Sequence, residues 1–103
     1  MRTFFRLQDA GITFSEMQDY VSVDGGDDCE EFGGICAVEF ADDLLKNFVW
    51  DAYDDNRPGE VVVFEGVLLA EIYDGVRVRP IREVARFTME EFEAGAGREY
   101  ETW

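Results

Sequence analysis

The chain opens on Thr3-Phe4-Phe5-Arg6-Leu7, which places apolar residues on both faces of an extended segment and predicts a short first strand. Thr13 then stands as a helix N-cap. Glu16, three residues on, completes a capping box, and Ile12 and Met17 take the two staple positions around it. This helix is expected to run to about Tyr20. The segment 24–34, DGGDDCEEFGG, has no apolar period and reads as a loop. Ile35 to Phe40 is mostly apolar and predicts a second strand. A helix from Asp42 or Asp43 follows, with Leu44, Leu45, Phe48, Val49 and Ala52 at helical spacing.

Asn56-Arg57-Pro58-Gly59 reads as a turn. Val61-Val62-Val63-Phe64 is β-branched and aromatic, the pattern of a central strand. Gly66 marks a bulge or turn, after which Val67 to Tyr73 reads as a further strand. Asp74-Gly75 is a hairpin signal. Val76-Arg77-Val78-Arg79 alternates, which predicts one buried and one cationic face, and Pro80 ends or bends that strand. Ile81 to Phe87 is a candidate last strand. Thr88 caps a short helix with Glu91 as box partner and Phe87 and Phe92 at the staple positions. From Gly95 onward the sequence predicts a loose tail. The order of elements implies a single α+β domain over residues 1–103, with a largely antiparallel sheet of about five to six strands. Two to three short helices are expected to pack mainly on one face.

Charge changes this picture most. Twenty-four Asp and Glu face nine Lys and Arg, a formal charge of −15 with no histidine. Residues 9–60 hold fifteen of those acids against only Lys46 and Arg57, whereas 76–87 carry Arg77, Arg79, Arg82 and Arg86 against Glu83 alone. Like charges repel as a chain compacts, so an excess of this size opposes folding and calls for another role. An apolar content of 47 % with nine Phe excludes a disordered acidic tail. No run of eighteen apolar residues occurs and the N-terminus lacks a signal pattern, so a cytoplasmic protein is expected.

The lack of histidine removes the commonest general base and the usual transition-metal ligand, and with them any Ser-His or Cys-His nucleophile. Cys29 and Cys36 form no CxxC; a disulfide between them stands as the alternative to two reduced, small apolar residues, the reading that a cytosolic chain favours. Gly25-Gly26 and Gly33-Gly34 match neither a dinucleotide fingerprint nor a P-loop, and the loop acids lack the order of an EF-hand. No metal or cofactor is expected. Glu65 and Glu71 flank a predicted turn, but in so acidic a chain a carboxylate pair specifies nothing.

What the sequence does offer is a surface. Asp24, Asp27, Asp28, Glu30 and Glu31 of the loop, with Asp42, Asp43, Asp51, Asp54 and Asp55 of the following helix, form the candidate partner-binding set. Trp50 stands among them as an aromatic anchor, with Tyr20 and Tyr53 as further candidates. Carboxylates spread along a folded face compete for the Lys- and Arg-lined grooves that bind nucleic acid phosphates. The plainer reading is an acidic surface that serves solubility. For the arginine stripe, gripping a phosphate stands beside pairing with the protein's own acids, and the net charge favours pairing.

Two resemblances bear on these readings. Phe4-Phe5-Arg6-Leu7-Gln8, Gly34-Ile35-Cys36-Ala37 before an Asp-Asp-Leu-Leu helix, Val62-Val63-Phe64-Glu65-Gly66, and Asp74 to Pro80 together resemble small actinobacterial and phage proteins related to the ADP-ribosyltransferase fold. That likeness implies NAD chemistry in which Arg6 and Glu65, or Glu71, would match the family's functional residues. In size, charge and lack of catalytic residues the chain is also similar to phage-encoded DNA-mimic inhibitors, including anti-CRISPR and anti-restriction proteins. That likeness implies a non-enzymatic inhibitor whose partner is a basic nucleic-acid-binding protein or complex, with no direct binding of nucleic acid or membrane.

Overall fold

The computed structural model describes residues 2–18, 34–44, 59–72 and 75–101. Four strands, β1 (Arg2–Asp9), β2 (Ile35–Ala37), β3 (Gly59–Ile72) and β4 (Gly75–Thr88), form one antiparallel sheet in the order β1-β3-β4-β2. Two five-residue helices, α1 (Phe14–Gln18) and α2 (Met89–Glu93), accompany it, with a helical stretch at 41–44 and a 3₁₀ turn at Arg98–Tyr100. The α+β class and the antiparallel sheet are as the sequence predicts. Among the described residues the strands number four, fewer than the expected five to six.

The reason lies at Gly66 and Pro80. The two strands expected on either side of Gly66 are one continuous β3, and the two expected on either side of Pro80 are one continuous β4. Gly66 pairs directly with Pro80, and the ladder slips between Glu65 and Gly66. Further slips fall between Val63 and Phe64 and between Leu68 and Ala70. Each such bulge bends a strand and deepens its twist without ending it, and a bulge is where a strand tolerates a proline. Three of them let two 14-residue strands curl together. The curl brings the edges of the sheet within reach of one another. Phe5 and Val38 exchange both backbone hydrogen bonds at 2.9 Å, joining β1 to the residue that follows β2.

Alternation along β1 and β3 builds a core on each face of the sheet. Phe5, Val61 and Val63 share one face with Val38, Ala41, Leu44, Met89 and Phe92. Phe4, Val62 and Phe64 share the other with Ile35, Ala37, Val76 and Val78. The run Val61 to Phe64 is therefore apolar at every position because both sides are covered, and all four residues are fully buried. Helix α2 and the 41–44 turn lie over the first face. Phe14 of α1 packs against the second, its ring 6.2 Å from that of Phe64. The helices thus favour one face but do not all share it.

Local signals place both short helices. Thr13 Oγ1 accepts from the Glu16 amide at 3.1 Å and donates to Glu16 Oε1 at 3.2 Å. At α2 the box is complete: Thr88 Oγ1 accepts from the Glu91 amide at 3.1 Å, and Glu91 Oε1 accepts from the Thr88 amide at 2.9 Å. Thr88→Ala is expected to reduce stability by about 1 kcal/mol, read from the midpoint of urea unfolding. Where the sequence predicts a loose tail, residues 95–101 fold back on the core. Gly97, at φ +91°, lies under the rings of Phe87 and Phe92, and Glu101 Oε1 accepts from the Ala41 amide at 2.9 Å.

Candidate functional site

Of the candidate acidic set, Asp42 and Asp43 fall among the described residues. Asp24, Asp27, Asp28, Glu30, Glu31, Trp50, Asp51, Asp54 and Asp55 lie outside them, as do Tyr20 and Tyr53. Asp42 and Asp43 occupy the exposed side of the 41–44 turn, whose other side buries Ala41 and Leu44 in the core. Their carboxylates suit the start of a helix, where unpaired amides carry partial positive charge. Asp42 Oδ1 accepts from Arg98 Nη2 at 2.7 Å, and its side chain remains largely open to solvent. The hydrogen bond and charge of Asp42 raise the Arg98 guanidinium above its ordinary pKa, with a further contribution from Glu101.

The fold adds acids that reading along the chain misses. Helix α2 buries Met89 and Phe92 and leaves Glu90 and Glu93 exposed, and Glu99 is exposed in the 3₁₀ turn that follows. Arg98–Asp42 and Glu101–Ala41 tie this C-terminal segment to the 41–44 turn. Among the described residues Asp43, Glu90, Glu93 and Glu99 make no ion pair. A signal was available in the sequence: the acids at 90 and 93 are three apart, hence on one side of a helix, a different side from the apolar pair Met89 and Phe92.

Arginines are engaged elsewhere. Arg82 lies opposite Glu65 across β3 and β4 and donates to its Oε1 at 2.6 Å. Arg86 donates to Glu83 Oε1 at 2.7 Å, to Glu60 Oε1 at 3.1 Å and to the Ile12 carbonyl at 2.6 Å. Partial burial alone would lower the Arg86 pKa, but hydrogen bonds to Glu83 and Glu60, with their charges, raise it. Arg2 pairs with Glu39.

Arg77 departs from the predicted cationic face, for it is fully buried. Register places it opposite Cys36, so its Nη1 donates to Cys36 Sγ at 2.7 Å and its Nη2 to the Gly34 carbonyl at 2.5 Å. The outward member of the alternating pair, Arg79, is exposed as expected.

Arg6 and Glu65, the first pairing implied by NAD chemistry, do not converge. In the regular β1–β3 register Arg6 stands opposite Val62, and Glu65 opposite Thr3. Positions 3 and 6 differ by an odd number, so Arg6 and Glu65 project from opposite faces of the sheet. Arg6 instead donates to Gln8 Oε1 at 2.5 Å and to the Cys36 carbonyl at 2.6 Å, while Glu65 holds Arg82. Because Arg82 is exposed and Glu65 only partly buried, solvent screens the pair, and Glu65→Gln should change the unfolding free energy by about 1 kcal/mol, a small shift in a urea melt.

No group of three or more Cys, Asp or Glu among the described residues could hold a metal ion. No helix among them is long and apolar enough to cross a membrane. No family model matches the chain, and neither curated proteins nor solved structures give a significant match.

Proposed function

We propose that the chain is a non-enzymatic acidic inhibitor that mimics nucleic acid and blocks the phosphate-binding groove of a basic DNA- or RNA-binding partner, in the manner of a phage anti-CRISPR or anti-restriction protein. One observation carries this reading. The chain has an excess of fifteen negative charges, and two of its sheet arginines, Arg82 and Arg86, are drawn into pairs with Glu65, Glu60 and Glu83. Asp43, Glu90, Glu93 and Glu99 are exposed and make no ion pair among the described residues, which supports a phosphate-like face. Asp42, though it holds Arg98, keeps most of its carboxylate in water. With the loop acids and with Asp51, Asp54 and Asp55 it makes up the proposed contact surface, and Trp50 supplies an apolar anchor.

Electrostatic steering would make association fast and salt-dependent. The test is competition: labelled duplex DNA bound to CRISPR surveillance complexes, restriction enzymes or other basic DNA-binding proteins is titrated with the chain. Displacement is expected with at least one of these, weakening by about tenfold or more as salt rises from about 50 to about 200 mM. Replacing Asp51, Asp54 and Asp55 together by Lys should abolish it. A complex indifferent to ionic strength, or one that survives the triple reversal, would overturn the proposal. Transfer of label from NAD to a target, lost in Glu65→Gln, would replace it with an enzyme.

A further inference from the structure

We draw no further inference here: the strongest candidate, the Cys36 thiol on β2 that accepts a hydrogen bond from the buried Arg77 guanidinium of β4, is a lone cysteine, and nothing else in the structure points to a ligand or modifying agent there.

Discussion

Phe64→Ala is expected to lower the free energy of unfolding by about 3–5 kcal/mol. The side chain is fully buried on β3, which lies between β1 and β4. Its ring meets Phe4 at a centroid distance of 6.1 Å and Phe14 at 6.2 Å, both tilted, the arrangement in which aromatic quadrupoles attract. Truncation removes the apolar area that Phe64 buries and leaves a void between strands held by their own ladder, so the site cannot collapse to fill it. A domain of this size has about 5–15 kcal/mol in total. The variant should therefore unfold at a much lower urea concentration, with the slope of the transition unchanged. Phe14→Ala, at a half-buried position on the short α1, should cost clearly less. Equal losses at the two positions would contradict the placement of Phe64 at the centre of its cluster.

Gly66→Ala is expected to cost about 1–3 kcal/mol, although the change adds a single methyl group. A β-carbon at this position would lie 2.5 Å from Val78 Cγ1 and 2.8 Å from the Arg79 carbonyl oxygen. The valine methyl belongs to a fully buried side chain, and the carbonyl is backbone within β4. Neither can step aside without disturbing the bulge that pairs Gly66 with Pro80. The measurement is again urea unfolding, supplemented by amide exchange along 78–80, where local opening should accelerate. A neutral or stabilising outcome would mean that the two strands do not approach so closely there.

These two positions also show what could and could not be read along the chain. Thr13 with Glu16 and Thr88 with Glu91 are legible because a cap is local: donor and acceptor lie three residues apart. The central place of Val61 to Phe64 is legible because only a strand covered on both sides keeps four consecutive apolar residues buried. Gly66 and Pro80 each admit two readings, a strand end or a bulge and bend, and reading along the chain does not choose between them. What keeps both strands whole is their mutual pairing, a matter of register between distant segments. The burial of Arg77 is hidden in the same way, since its acceptors come from β2 and Gly34, more than forty residues earlier.

Of the candidate acidic set, Asp42 and Asp43 lie among the described residues. Both are exposed on the 41–44 turn as anticipated. Glu90, Glu93 and Glu99 are hidden in the sequence because the whole of β3 and β4 separates them from the earlier acids. The arginine stripe divides once its cross-strand neighbours are known: Arg82 and Arg86 hold glutamates, Arg79 faces water and Arg77 turns inward.

The touching point between Phe5 and Val38 has an implication for how this chain meets other molecules. An open ribbon offers unsatisfied amides and carbonyls onto which a foreign strand can zip, the usual beginning of fibrous assembly. Here the first and last strands of the sheet turn part of their margins toward each other, and β3 and β4 lie inside. Recognition by strand addition is thereby curtailed at that margin.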